Sequence, residues 1–433
     1  MKLSKKVFFK IHRWIGIKLS ILFFVVCFSG SLATLSHEMD WLSFPEIRAE
    51  YHGEYASHNK RVANIRKAYP EGKIAYWAAS NEPYLCDIAQ VVENGQRYYV
   101  FTNPYTGEVQ GSATLTFQRF FRDLHYFLFI PFQVGHFTVL IFGFMLLISM
   151  VTALLFYKKW WKKLFKLRIG KGRLAFFRSL HSLVGLWSVP FAILFSITGI
   201  WYFIERTNIG GVAKIANTRS PKLEAGLDSA VFATISYDID YDKAVQVAEK
   251  TIPGLKVKDI LPPSRPERVL YINGISDVPL VRNRANRIFL HPLTFEVIGI
   301  QEAKNLPVVT WLNDIADPLH FGYWGGIVTK IIWFIGGMAI SGLVLTGIWV
   351  ALKRTAHYKK PKRKTWAYVN YLFTGLMLFF MYGTLITRYS VSSLSIIIIS
   401  VIMVTMAVWS WYIFDYKFKK KYRPKKKVFN SVS

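Results

Sequence analysis

An apolar stretch headed by a histidine, residues 9–38, is written a second time at residues 176–206, and this duplication constrains the chain more than any other feature. A shift of 169 positions lays His12 on His181, Gly16 on Gly185 and Gly30 on Gly199. Each copy holds about twenty apolar residues, enough for a helix to cross a bilayer, and its histidine stands at a basic end. A second match runs at a shift of 195, where Leu124-His125-Tyr126 falls on Leu319-His320-Phe321 and Tyr157-Lys158-Lys159 on Leu352-Lys353-Arg354. The repeating unit is a span, a polar segment and a second span. Two such halves inserted the same way round relate by a pseudo-twofold axis along the membrane normal.

Hydropathy predicts six spans in an α-helical membrane protein, at roughly 15–36, 136–157, 183–204, 327–352, 367–387 and 394–414. Residues 1–36 form a basic N-terminus with the first span, 37–135 a polar α+β module, 136–157 the second span, and 158–182 a basic loop. The second half follows as a span at 183–204, an α+β module at 205–326 and a span at 327–352. A basic loop at 353–366, a two-helix hairpin at 367–414 without counterpart in either half, and a basic tail at 415–433 complete the chain. Each module reads as an amphipathic helix followed by alternating strands and a Pro-x-Thr turn, at Pro104–Thr106 and Pro292–Thr294. His291 stands where the first copy has Asn103 and reads as a turn residue.

The formal charge of +29 follows this topology. Thirty of the fifty-five Lys and Arg residues fall in segments 1–18, 158–178, 353–364 and 417–427, which contain no Asp or Glu. If the spans alternate, all four lie on one side. The positive-inside rule makes that side the cytoplasm, with both termini in it. The charge then serves topology and contact with anionic lipid, and no nucleic-acid-binding motif accompanies it. Cys27 and Cys86, in a span and in a module, predict neither a disulfide nor a cysteine metal site.

Four of the ten histidines recur between the halves: His12 with His181, and His125 with His320. A histidine in or beside a span is costly, and ligation of a metal is a common reason to keep one. Short-range clusters of ligands, as zinc requires, are missing from the sequence. Paired imidazoles across a helix bundle suit six-coordinate haem iron instead. Within one half the two histidines lie at opposite ends of the spans, so pairing crosses between halves, His12 with His181 and His125 with His320. His136 and His37 are alternates for the outer site; neither is duplicated. Gly16 and Gly185, four residues after their histidines, share a helix face with them and leave room for a flat macrocycle, and Gly30 and Gly199 do the same near the other end.

The His-x-x-x-Gly openings at 12 and 181, the small-residue–Gly pairs at 29–30 and 198–199, the Leu-His-aromatic triplets and the Pro-x-Thr turns resemble the PepSY-associated transmembrane proteins over about residues 5–355. That family includes iron-regulated bacterial inner-membrane proteins and ferric-siderophore reductases. The resemblance implies duplicated halves that form a four-helix haem-binding bundle carrying PepSY-like modules, with two b-type haems on His12, His181, His125 and His320. It further implies a membrane oxidoreductase that passes electrons from a quinol or a cytoplasmic donor to a ferric siderophore or other ferric chelate in the periplasm. Phe295 departs from the pattern by replacing the glycine of the first turn, which bears on recognition of the chelate. Two other readings fit the same residues: a haem-free, membrane-anchored PepSY binding or regulatory protein, and a haem or siderophore transporter.

Overall fold

The computed structural model describes residues 4–80, 82–355 and 365–412. The basic tail at 415–433 and most of the loop at 353–366 lie outside those residues. In the first half, α1 (Lys5–Lys18), α2 (Ser20–Thr34) and α3 (Ser36–Ser43) lead to α4 (His58–Ala68) and a meander of β1 (Lys73–Ala78), β2 (Asp87–Glu93), β3 (Gln96–Thr102) and β4 (Val109–Ala113). The chain returns through α5 (Phe117–Phe127) to α6 (Phe132–Phe156). In the second half, α7 (Arg173–Trp187) and α8 (Val189–Thr207) precede α9 (Val212–Ala216), α10 (Ser229–Asp238) and α11 (Tyr241–Thr251). A meander of β5 (Lys256–Leu261), β6 (Leu270–Ile275), β7 (Asn286–Leu290) and β8 (Val297–Gln301) then leads through α12 (Val308–Phe321) to α13 (Gly326–Thr355). The hairpin α14 (Thr365–Thr387) and α15 (Ser393–Trp411) follows.

The expected first span, 15–36, is not one helix. α1 and α2 meet at Leu19 with a bend of 75°, because Leu19 leaves helical geometry with φ −115° and ψ 28°. Ser188, at a shift of 169 from Leu19, separates α7 from α8 and so divides the expected third span, 183–204, at the same place. Pro190 sits in the first turn of α8, where its missing N–H is one the helix leaves unpaired anyway. In the first half the side-chain amide of Asn370 on α14 donates to the Lys18 carbonyl at 2.6 Å. This covers an acceptor at the break that lipid has no means of satisfying. Helices α6, α8, α13 and α14 are each long and apolar enough to cross a membrane, and the bent pair makes up to five spans. The sixth, expected at 394–414, shortens to an apolar stretch of Ser393–Trp409 among the described residues. α6 packs on α1 and α8, and α13 packs on α2 and α7, so every long helix of one half touches the other half or its own partner.

The two modules, expected as separate α+β units, share one antiparallel sheet of eight strands in the order β4-β3-β2-β1-β5-β6-β7-β8. The seam is β1 against β5, with Trp77 opposite Ile260 and Ala78 opposite Asp259. An edge that each module would otherwise expose is thus covered by its twin. One apolar core runs under the seam, including Ile65, Trp77 and Val91 from the first module and Tyr241, Ile260 and Ile272 from the second. The helix starts above it cap each other. The Asp242 carboxylate accepts the His58 and Asn59 N–H groups at 2.6 and 3.2 Å, and Asn59 Oδ1 accepts the Tyr241 N–H at 2.7 Å.

Equivalent turns close the two meanders. Asn103 Oδ1 accepts the Tyr105 and Thr106 N–H groups at 2.9 and 3.1 Å, and His291 Nδ1 accepts those of Leu293 and Thr294 at 3.3 and 3.2 Å. His291 therefore does the work of an asparagine and is a turn residue. Gly107 has φ +79° and Phe295, in its place, φ +62°, a conformation that costs a side chain more than glycine. The phenyl ring is buried in the module core, which offsets that cost.

Burial, reinforced by the Arg61 guanidinium, pushes His58 down to about 4, against the opposing pull of Asp242. Its neutral form therefore belongs to the fold, and the stability it contributes is present above its unfolded value of about 6.5 and lost as pH falls through about 4. The melting temperature, followed by tryptophan fluorescence in detergent, is expected to fall between pH 6.5 and pH 4. His58→Gln is expected to fall less over that interval, and an equally steep fall would contradict the assignment.

Candidate functional site

Each duplicated histidine meets its counterpart from the other half. His12 on α1 and His181 on α7 have ring centres 6.3 Å apart with planes inclined at 72°. His125 on α5 and His320 on α12 have ring centres 6.1 Å apart, inclined at 35°. Two imidazole nitrogens bound to opposite sides of one metal at roughly 2 Å, with about 1 Å from nitrogen to ring centre, put ring centres about 6 Å apart. Both pairs have that spacing.

The tautomers are fixed by the partners. His12 Nδ1 lies 2.9 Å from the Ser149 carbonyl and His125 Nδ1 lies 2.9 Å from the Val26 carbonyl; a carbonyl only accepts, so Nδ1 carries the proton. His181 Nδ1 is 2.9 Å from Thr346 Oγ1, and His320 Nδ1 is 2.7 Å from Thr198 Oγ1. Each threonine hydroxyl donates its single proton to a carbonyl one turn back, Gly342 and Leu194, and so offers the histidine only lone pairs. In all four rings Nδ1–H is donated and Nε2 is left as a bare lone pair, the arrangement of a metal ligand whose second nitrogen is held by the protein. Each half orients its own two histidines and gives one to each pair. These hydroxyl and carbonyl partners escaped the sequence reading; isolated Ser149, Thr198 and Thr346 inside apolar helices were the available signal.

Among the described residues, no group of three or more His, Cys, Asp or Glu side chains gathers around a common point. Each pair offers two nitrogen ligands, too few to close a zinc site. Such a donor set suits iron whose four equatorial positions are filled by a porphyrin. The residues present therefore fit two b-type haems.

The glycines divide unequally. A Cβ on Gly30 would stand 2.7 Å from His125 Cε1 and 2.8 Å from Nδ1, so the missing side chain is what admits that ring against α2. Gly199, its counterpart, faces Gly143 of α6 instead, with a Cβ 3.5 Å from the Gly143 Cα. It serves close helix packing, which corrects the expectation that both glycines make room at the outer pair. The space beside Gly16 is open and Gly185 has only ordinary contact with Leu343. A Cβ on Gly347 would reach 3.3 Å from His181 Cε1, a close approach absent from the sequence reading.

The alternates stand apart from the outer pair. His136 Nδ1 is 3.1 Å from the Tyr126 carbonyl, and its ring lies against Tyr126 and Phe132. His37 starts α3 beside the charges of Lys330, Glu38 and Glu82, and Lys330 bridges the two carboxylates at 2.8 and 3.3 Å.

Both outer histidine helices are held by buried polar groups. Asp40 receives the Phe117 and Gln118 N–H groups at 2.6 and 3.2 Å and so caps α5. Burial pushes its carboxyl up to about 6 in spite of those bonds. On α12, Asp314 and Asp317 hold Arg282 at 2.6 and 2.8 Å, and the Tyr202 hydroxyl donates to Asp317 at 2.8 Å while its ring packs against His320. Burial draws Arg282 down, but the two carboxylates outweigh it and hold the guanidinium above its usual range.

Residues 9–354 match the family described as the PepSY-associated TM region. The chain belongs to that family. No curated protein matches it. The region shared with other PepSY-associated membrane proteins covers both histidine pairs and both modules, and it ends before α14 and α15.

Proposed function

We propose that this PepSY-associated membrane protein is a dihaem oxidoreductase of the bacterial inner membrane that reduces a ferric chelate on the sheet side, the periplasm, for iron acquisition. The observation that carries the reading is the pair of facing imidazole sets, His12 with His181 and His125 with His320, each with Nδ1 engaged and Nε2 bare. Bound at both pairs, b-type haem supplies reversible one-electron chemistry at two depths. The helices hold the rings by bonds to Ser149, Val26, Thr346 and Thr198, so each pair would present its free nitrogens to a haem iron without having to reorient. The substrate's iron, once ferrous, is less charged and softer, so hard oxygen ligands hold it less tightly and release it. The basic loops carry no dinucleotide fingerprint, so the donor is a quinol or a separate cytoplasmic protein.

Dithionite-reduced protein, mixed anaerobically with ferric hydroxamate, catecholate and polycarboxylate chelates, is expected to be reoxidised by at least one class, with ferrous iron trapped by a colorimetric chelator. A haem-loaded, reduced protein that none of the three classes reoxidises would overturn the ferric substrate while leaving the haem assignment standing.

A further inference from the structure

A cavity of about 470 Å³ opens between α5, the link to α6 and the sheet-side end of α14. Arg119, Arg122 and Tyr126 lie on one face of α5, at i, i+3 and i+7, Thr384 lies in the last turn of α14 and Arg388 immediately after it; all five line the cavity. Its one carboxylate, Asp123, is already engaged. Arg119 Nε lies 3.2 Å from it, and the Tyr389 hydroxyl donates to it at 2.5 Å. Neither the Arg122 nor the Arg388 side chain has a hydrogen-bonded or ion-paired partner among the described residues. The remaining wall is apolar, with Phe127, Phe129, Phe132 and Phe380 among its residues. The Arg388 guanidinium does lie over the Tyr389 ring, 5.8 Å from its centre, but that contact leaves its N–H groups free of hydrogen bonds among the described residues, so the cavity pairs two guanidinium groups open to an anion with an aromatic wall.

Its depth is set by its neighbours. Phe132 is the first residue of the membrane helix α6, and Arg388 immediately follows α14. The turn between β2 and β3 touches the chain there, since Gln96 donates to the Arg388 carbonyl at 3.3 Å and accepts from Ser390 at 2.9 Å. The cavity therefore lies where the bundle meets the sheet, the level of lipid headgroups. A neutral quinol leaves both guanidinium charges unanswered, and a small soluble anion leaves the aromatic wall bare. A phosphate attached to acyl chains answers both.

We propose that this cavity binds the phosphate headgroup of an anionic phospholipid from the sheet-side leaflet, with Arg388, just beyond α14, supplying one of its two guanidinium groups. The site lies beside the helix of His125, yet it does not depend on haem being bound there.

The test is native mass spectrometry of the full chain in detergent with equimolar phosphatidylglycerol and phosphatidylcholine, repeated with the Arg122→Gln/Arg388→Gln variant. Because the basic face also attracts anionic lipid, the difference between the two proteins is the informative quantity. The variant is expected to retain phosphatidylglycerol about tenfold less than wild type, with phosphatidylcholine unchanged. In hydrogen exchange, phosphatidylglycerol is expected to protect residues 119–127 and 384–390 of the wild type. Both residues are exposed, so the variant is expected to elute as a folded monodisperse species. If it does not, Arg388→Gln alone serves in its place. Equal retention by wild type and variant, or protection by phosphatidylcholine to the same extent, would overturn the proposal. Displacement of the lipid by inorganic phosphate at equal concentration would make this a free-anion site and overturn the lipid assignment.

Discussion

His12→Ala is expected to lower the haem content of the purified chain from two per chain to one, and His181→Ala is expected to do the same. The two rings of that pair face each other across 6.3 Å from different halves of the molecule, so one iron held there would depend on both. Removing either imidazole leaves a single axial nitrogen at a site that offers no third His, Cys or acidic ligand among the described residues. Low-spin character at that site would be lost outright, and haem is expected to follow on detergent extraction. The other pair is untouched, because His125 and His320 are held by Val26 and Thr198 and share no partner with the first pair. His125→Ala and His320→Ala are therefore expected to remove the other haem. His136→Ala, whose ring packs on Tyr126 and Phe132, is expected to keep both. Reduced-minus-oxidised spectra of the five variants check this. Loss of a haem in His136→Ala together with its retention in His125→Ala would contradict the assignment of the outer pair.

Gly30→Ala is expected to be nearly as damaging to the outer site as removal of His125, although it adds one methyl group. That methyl would stand 2.7 and 2.8 Å from two atoms of the His125 ring, well inside contact distance. The ring has little freedom to yield, since its Nδ1–H is committed to the Val26 carbonyl, one turn before Gly30 on α2. Either that bond breaks or α5 moves off α2, and both turn Nε2 away from His320. Loss of such an orienting bond typically costs 10- to 100-fold in metal affinity. Gly199→Ala is the internal control, because its Cβ would meet the Gly143 Cα at 3.5 Å, an ordinary contact. It is expected to retain both haems, and Gly30→Ala only the one at His12 and His181. Equal haem content in the two variants would show that the close approach at Gly30 does not govern the site.

The duplicated histidines were legible because a repeat within one chain aligns residues without outside comparison: shifts of 169 and 195 name the four rings that meet. The breaks at Leu19 and Ser188 were not legible. Pro190 marks the second, but Leu19 has no proline beside it and Gly16 lies inside α1 rather than at the break, and the Asn370 amide that covers the Lys18 carbonyl comes from a helix far along the sequence. The joining of β1 to β5 was hidden for a related reason. Period-2 alternation shows that Trp77 and Ile260 belong to strands but says nothing of which strand lies beside them. Gly30 and Gly199 look equivalent in sequence and differ in role because α2 packs on α5 whereas α8 packs on α6 at that level. His291, by contrast, was placed correctly in a turn from its alignment with Asn103 alone, since the turn needs an acceptor at that position and imidazole nitrogen supplies one.

The most direct test of the account is a pyridine haemochrome assay on the full-length chain purified from haem-replete cells, set beside the variant with His12, His125, His181 and His320 all replaced by alanine. The account predicts two b-type haems per wild-type chain, low-spin in the spectrum, and none in the variant. A colourless wild-type protein, or a variant that binds as much haem as wild type, would contradict it.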